Sequence, residues 1–353
     1  MNTADTPQDE KLVHFLVDTA VWAPSVHNTQ PWWFGTHGST VTVHADTDRR
    51  LDVADPDGRE MLISCGAALY TLRLAVCYLG HRPDVRLVSD PERPALLADV
   101  GIGPAHSVTE AERTIYRQIR RRRSHRGGFG PGALPSGLLQ TLRGQAYNEG
   151  VMLRVVADPR ARIALAALTE VAEQVQRQNP AYAAEIARWA PAPVSDRQDG
   201  VHDDAYPREP EHTDPDFAAR GFARGHGWGL TGGEQQEATG VVALLLTDED
   251  GRADWLRAGQ ALQRVLLHAA EHDVSAAFHT QALEVAELRE FIRTRLCDQA
   301  YVQMIMRLGI PAGQAGGVRR SSADVTQTEL SPPLEWPDDC WGSRASPTPP
   351  SCC

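Results

Sequence analysis

Apolar residues recur along this chain with two different periods. Leu12, Phe15, Leu16 and Thr19 share one helical face over residues 8–22, which Thr6-Pro7 opens and Pro24 stops. Val41-Thr42-Val43-His44 alternates with period two and reads as a strand. Met61, Cys65, Ala68, Leu69, Leu72, Ala75, Val76 and Leu79 form one stripe at helical spacing and predict a long helix over 61–79. A strand-compatible segment, Val85 to Val88, follows. Ala111, Ile115, Tyr116 and Ile119 predict a further helix, with Ser107 and Glu110 as its capping box and Gly127-Gly128 as its end. Residues 151–156 read as a strand and 160–178 as an amphipathic helix. Val274 to Phe278 and Val302 to Leu308 read as later strands.

One helical pattern occurs twice. Gly66-x-Ala68-Leu69 lies in the first long stripe. Gly259-x-Ala261-Leu262 lies in a second, with Val265, Leu266 and Ala269 behind it, 193 residues further on. Each stripe leads toward a short strand-like segment. Leucine patterns coincide easily, so the repeat suggests a duplication without proving one.

Residues 190–235 break the pattern. They are rich in Pro, Asp, His and Gly, with Trp189, Tyr206, Phe217, Phe222 and Trp228 as punctuation. A stretch this long is either a functional cover or an idle loop. It is too polar and Pro-rich to form a core of its own. Gly225-x-Gly227-x-Gly229 inside it lacks the preceding strand of a dinucleotide fingerprint. From Ser331 the Pro-rich tail reads as disordered.

Composition narrows the choices. The chain has 353 residues, 42% of them hydrophobic, enough for about two domains and a sizeable core. No apolar run approaches the ~20 residues of a membrane helix; the longest is about Val241 to Leu246. The acidic N-terminus has no signal-peptide pattern. The six cysteines form no Cys-x-x-Cys, and Cys65, Cys77 and Cys297 read as reduced core residues. The terminal Cys352-Cys353 is not a prenylation box. A cytoplasmic protein is the simplest fit.

Two stretches carry candidate chemistry. Arg120-Arg121-Arg122-Arg123-Ser124-His125-Arg126 contains Arg-Arg-Ser-x-Arg, and guanidinium forks with a serine hydroxyl suit a phosphate. Such a run also fits a solvated basic face or a nucleic-acid patch. The formal charge of −11, from 46 acidic and 35 basic residues, argues against a polyanion partner. The other stretch is Ala23-Pro24-Ser25-Val26-His27-Asn28-Thr29-Gln30-Pro31-Trp32-Trp33-Phe34. Its two prolines stiffen a loop that can present Ser25, Asn28 and Gln30 to a flat polar ring edge. Asn28 and Gln30 could equally satisfy local backbone.

Together the two stretches resemble the halves of a flavin site in the nitroreductase family, in swapped order. The first half of the chain has Pro-Ser-x-x-Asn-x-Gln-Pro-Trp but no Arg-Arg-Ser-x-Arg before it, and the second half has the reverse. In that family each flavin sits at a dimer interface, with the phosphate grip from one subunit and the Pro-Ser loop from the other. Complementary losses would leave one complete site in one chain. The chain is thus similar to the Acg-like FMN-binding branch, a fused pseudo-dimer, and the likeness spans roughly residues 10–325. The resemblance implies an α+β fold, two nitroreductase-like halves with mixed antiparallel sheets around long central helices. It divides the chain into a degenerate first half, 1–105, a second half, 106–330, with 190–235 as a lid-like insertion, and a tail, 331–353.

The same resemblance implies FMN as cofactor, held by Arg122, Arg123, Ser124 and Arg126 with Pro24, Ser25, Asn28 and Gln30. Arg319 and Arg320, which follow the Gly309-Ile310-Pro311 turn, join the set or form a solvated pair. It implies NAD(P)H and a small organic substrate as partners, in an enzyme needing no side-chain acid. It equally allows a protein that stores or sequesters FMN. Neither nucleic acid nor membrane is expected as a partner, and a monomer is. His268-x-x-Glu271-His272 matches an inverted zinc-protease motif but already belongs to the second long helix. The histidines and aspartates of 202–214 fit no metal-ligand spacing.

Overall fold

The computed structural model describes residues 7–209, 212–231, 238–311, 313 and 316–328. The predicted disordered tail and Cys352-Cys353 lie outside them. In chain order the elements are α1 (Pro7–Ala20), β1 (Trp32–His37), β2 (Thr40–Ala45), α2 (Arg59–Tyr78), β3 (His81–Leu87), β4 (Leu96–Ala105), α3 (Glu110–Gln118) and β5 (Ser124–His125). Then come α4 (Leu138–Tyr147), β6 (Met152–Val155), α5 (Pro159–Arg177), α6 (Pro180–Trp189), β7 (Val241–Thr247) and α7 (Arg252–Ala270). The last are β8 (Ser275–Phe278), α8 (Ala286–Leu296), β9 (Tyr301–Gly309), α9 (Ser322–Val325) and β10 (Thr326–Thr328).

The strands make two five-stranded sheets of matching design, ordered β10-β1-β2-β4-β3 and β5-β8-β9-β7-β6. Within each sheet the pairs are antiparallel except at one edge. There β10 runs parallel to β1, and β5 runs parallel to β8. Residues 326–328, which the sequence assigns to the second half, therefore extend the sheet of the first.

Between the sheets lie α2 and α7, the two helices with the repeated pattern. They cross at the repeated glycines. A Cβ on Gly66 would stand 3.0 Å from the carbonyl carbon of Leu256 and 3.1 Å from the Cα of Gly259. A Cβ on Gly259 would stand 2.8 Å from the carbonyl carbon of Ile63 and 2.9 Å from the nitrogen of Ala67. Both positions face backbone, so only glycine permits so close an approach. Polar side chains staple the crossing. Gln263 donates to Thr71 at 3.0 Å, and Glu149 accepts from Arg73 (2.7 Å) and Arg264 (2.9 Å), one from each central helix. By length and hydropathy α2 could cross a membrane, but 89% of its most apolar window is buried inside the protein.

Several expectations need correction. The capping box of α3 is Thr109 with Glu112, not Ser107 with Glu110. Glu112 is buried and also accepts from His106 at 2.8 Å, whereas Glu110 stays exposed. That helix ends at Gln118, well before Gly127-Gly128. Cys77 is disulfide-bonded rather than reduced, while Cys65 and Cys297 are free and buried. Residues 190–231, by contrast, agree with the expectation that they lack a core of their own; they join one supplied by other parts of the chain. Ala190, Val201, Ala205, Tyr206 and Phe222 pack with Tyr182, Ile186 and Trp189 of α6 and with Leu51 and Ala54. The apolar partners come from elsewhere in the chain, which is why the segment read alone looked coreless.

Candidate functional site

Local sequence bends the Pro24–Pro31 loop into an unusual path. His27, Asn28 and Gln30 all have positive φ (46°, 54° and 50°). For non-glycine residues each such conformation costs of order 1–3 kcal/mol and persists only where its surroundings hold it. Here they do. The Gln30 N–H donates to Ser25 Oγ (2.9 Å) and the Val26 N–H to Ser64 Oγ of α2 (3.2 Å). Asn28 Nδ2 donates to the carbonyls of Gly200 (3.0 Å) and Val318 (3.2 Å), and its Oδ1 accepts from Arg319 (3.0 Å). Gln30 Nε2 donates to the Gln198 carbonyl (2.8 Å), and its Oε1 accepts the Arg320 N–H (2.8 Å). Gln30 Nε2 also donates to the local Asn28 carbonyl at 3.5 Å, but most of these bonds reach distant groups. They tie the loop to the 190–231 segment and to the C-terminal strand approach.

The arginine run splits in two. Arg120 and Arg121 are exposed and pair with Asp18 (2.5 Å) and Asp273 (3.2 Å). Arg123, Ser124 and Arg126 instead line a small cavity, together with Pro24, Ser25, Asn28, Gly200, Asp204 and Arg319. Arg122 is buried just behind it, with Nε and Nη1 lacking any hydrogen-bond partner among the described residues, as does Nε of Arg319. Crowding shows in the acid–base behaviour. Burial, then Arg123 and Arg126, pushes the Arg122 guanidinium down to about 9. Burial does the same to Arg126, down to about 10, with Asp204 partly opposing it. Arg319 is pushed down by burial and by Arg122, Arg123 and Arg126 together. Trp22 offers partial relief, its ring lying 5.3 Å from the Arg123 guanidinium and 5.7 Å from that of Arg319.

Pro24, Ser25, Ser124 and Arg126 also line a second, larger cleft. Its apolar wall includes Ile63 of α2, Leu262 of α7, Met304 of β9 and Phe222. It thus sits against both central helices, where the halves meet. Its polar wall includes His27, Glu60, Ser64, Arg220, His279 and Thr280. Arg220 pairs with Glu284 and donates to the Tyr182 hydroxyl at 2.7 Å. His279 accepts from Arg307 Nε at 2.8 Å. The 190–231 segment supplies Gly200 to Ala205 to the small cavity, and Tyr206 to Arg208 with Ala219 to Ala223 to the large one.

Of the ten residues singled out from sequence, seven line these cavities: Pro24, Ser25, Asn28, Arg123, Ser124, Arg126 and Arg319. Three do not. Arg122 lies behind the small cavity. Gln30 is fully buried in the loop. Arg320 reaches the Asp324 carbonyl (2.8 Å) and lies 3.7 Å from Asp46. Sequence reading passed over His27, although it lies inside the motif. It also missed Glu60, Arg220 and Glu284, which no local spacing connects. Among the described residues no three His, Cys, Asp or Glu side chains converge as metal ligands, the 268–272 histidines included.

No family model matches the chain. It is 31% identical over 343 residues to the protein named "Putative NAD(P)H nitroreductase Rv3131" of Mycobacterium tuberculosis, spanning 95% of this chain and 94% of that protein. It is 28% identical over 310 residues to "Putative NAD(P)H nitroreductase acg" of the same organism, covering 87% of this chain and 91% of that one. Among solved structures it is similar to "a putative nitroreductase in complex with FMN" from Desulfovibrio desulfuricans, at 18% identity and a TM-score of 0.34, over 62% of this chain and 97% of that one. With matching sheets around two crossed helices and a full-length relative above 30% identity, the chain belongs to the nitroreductase family, among its Acg-like members.

Proposed function

We infer that this protein binds FMN and uses it as an oxidoreductase, passing electrons from NAD(P)H to a small organic substrate. One observation carries the reading. Four arginines, Arg122, Arg123, Arg126 and Arg319, crowd one small cavity, and among the described residues none of them forms a salt bridge. Like charges held this close and partly desolvated call for an anion. A phosphate monoester carries about −1.5 to −2 charges and three strong acceptor oxygens. The cavity adjoins a larger one with an apolar wall and a polar edge, suited to a flat heterocycle. FMN has both parts. The Ser25 and Ser124 hydroxyls and the arginines would hold it, with Asn28 positioning the Arg319 guanidinium, and bound flavin would supply the hydride chemistry.

Each side of the site comes from a different half of the chain, so one chain suffices and a monomer is expected. A second reading, FMN storage, has its own support. The 190–231 segment lines both cavities and leaves less room for a nicotinamide and a substrate. The test is to titrate the purified protein with FMN and add NADPH without oxygen. Bleaching of the flavin band within seconds supports turnover. Bound flavin that NADPH leaves oxidised supports storage, and failure to bind FMN overturns both.

A further inference from the structure

The large cleft contains a buried acid that the reading above does not use. Glu60 opens α2, lines the cleft and is 5% exposed. Its Oε1 accepts from Arg59 at 2.8 Å. Arg59 is anchored by donating to the Gln303 carbonyl at 2.7 Å. Around this pair lie Asp55, Asp250 and Glu284, with Arg220 and Arg289. Arg220 is committed to Glu284, and Arg289 to Asp250 at 2.7 Å. Asp55 accepts the Met61 N–H at 2.9 Å. Glu60, Asp55, Asp250 and Glu284 thus meet Arg59, Arg220 and Arg289 in one largely buried network, on a cleft whose wall also carries Arg126, Arg177 and Arg208. A carboxyl buried this deeply beside another carboxylate favours keeping its proton.

A separate feature points to a ligand in the same cleft. His27 is 6% exposed, its ring meets Phe222 edge-on at 5.4 Å, and its Nε2 has no hydrogen-bond partner among the described residues. Burial, Arg220 and Arg126 keep the imidazole neutral. A strained, buried and unpaired acceptor or donor on a cavity wall is left for something that enters the cavity.

We propose that Glu60 is the proton donor of this cleft, delivering the proton that accompanies hydride transfer to an organic acceptor with a polarised C=O or N=O group. This rests on the flavin reading. The acceptor's π bond breaks, its electrophilic atom gains the hydride that reduced flavin supplies, and its oxygen gains the proton as the Glu60 O–H bond breaks. Bound flavin would end the step oxidised by the loss of that hydride, and the Glu60 carboxylate would take a new proton from water. Burial first, then Glu284, lifts the Glu60 carboxyl to about 8, with Arg59 opposing, so the acid form is populated at neutral pH.

The test uses holo-protein whose flavin has been reduced with dithionite, so it does not depend on NAD(P)H. The reduced protein is mixed with 1,4-benzoquinone, which takes a hydride and a proton, or with ferricyanide, which takes single electrons and no proton. Glu60→Gln should slow quinone reduction by ~10²–10⁴-fold, the range for losing a general acid, while slowing ferricyanide far less. Glu60→Asp should recover part of the loss. The parent quinone rate should fall as pH rises through about 8, and this fall should vanish in Glu60→Gln. Equal slowing of both acceptors, or of neither, overturns the proposal while leaving the flavin reading intact. Infrared titration of the protonated carboxyl band, with and without Glu60→Gln, reads the same proton without turnover. A band already lost well below neutral pH overturns the proposal as well. Absence of bound FMN in the parent overturns the flavin reading itself, and the proposal with it.

Discussion

The close crossing of α2 and α7 can be tested by one methyl group. In Gly259→Ala the new Cβ would lie 2.8 Å from the carbonyl carbon of Ile63 and 2.9 Å from the nitrogen of Ala67, and closer still to the Ile63 oxygen. All three atoms are helix backbone, so no side chain can swing aside. Restoring an ordinary 3.4 Å contact to the carbonyl carbon alone requires the helices to part by more than about half an ångström. Parting them loosens the shared face that holds Ile63, Leu262 and the Gln263–Thr71 bond. Overpacking of this kind costs about 1–3 kcal/mol and occasionally more. Alanine returns about 1 kcal/mol in helix propensity. A net loss of up to about 2 kcal/mol is expected, read as a lower midpoint in urea unfolding followed by circular dichroism. Gly144→Ala is the control. Gly144 lies in exposed α4, and a Cβ there meets nothing within 4 Å, so the same change should stabilise by about 0.5–1 kcal/mol. Should Gly259→Ala also stabilise, the two halves do not meet as closely as described, and the internal pseudo-dimer loses its physical basis.

Other expectations follow from the site. FMN released by denaturation and measured by absorbance should amount to one per chain, since each half supplies a different part of the cavity pair; two per chain would refute this. Arg126→Ala should weaken FMN by ~10- to 100-fold but riboflavin little, because a lost charge-assisted bond is worth about 1.5–3 kcal/mol; equal losses by fluorescence titration would make the arginine structural. Cleavage by a nonspecific protease between Asp196 and Asp204 should be slower with FMN present, because Gly200 to Ala205 line the small cavity. Replacing 195–215 by a short Gly-Ser linker should speed flavin reduction by NADPH if closure blocks it, and an unchanged rate and affinity would mark the segment as idle. Finally, burial, then Arg264 and His272, depresses His268 to about 4. Its stabilising effect as a neutral group is complete above the unfolded value near 6.5 and is lost as pH falls toward 4. Roughly 2–3 kcal/mol should disappear over that window, and His268→Gln should flatten the decline in urea midpoint between pH 7 and 4.5.

Much of the frame was legible because its signals are local. The stripe at Met61 to Leu79 and the run at Val241 to Leu246 each became a buried core element, α2 and β7. Repeated Gly-x-Ala-Leu was informative for a physical reason that sequence could not supply: a helix crossing this tight needs glycine on both partners. What stayed hidden was mostly non-local. α6 escaped notice although Asn179 caps it, accepting the Ala181 N–H at 3.0 Å, and Pro180 opens it. Its apolar residues face the 190–231 segment, which itself reads as polar. The parallel strand β10 has only three residues, and its partner β1 is nearly 300 residues away, so no periodicity could announce it.

The site follows the same division. Arg123, Ser124 and Arg126 were readable as a group because adjacent residues at the start of a strand can share one cavity. Neither of the two Pro-Ser-loop amides read from sequence reaches the larger cleft. Gln30 and Asn28 spend their donors on Gln198, Gly200 and Val318, and so position the walls of the site. That division of labour explains how a loop with three left-handed residues can be held, and why its polar residues need not all meet a ligand. It also locates the chemistry. The residue of the loop that faces the larger cleft with an unpaired atom is His27, and opposite the motif stands Glu60, whose surroundings come from α2, α8, the loop before α7 and the segment around Arg220. A proton can be kept there because those elements, far apart in sequence, bury Glu60 and set Glu284 near it. No local motif can encode burial of that kind; it exists only once both halves of the chain have folded against each other.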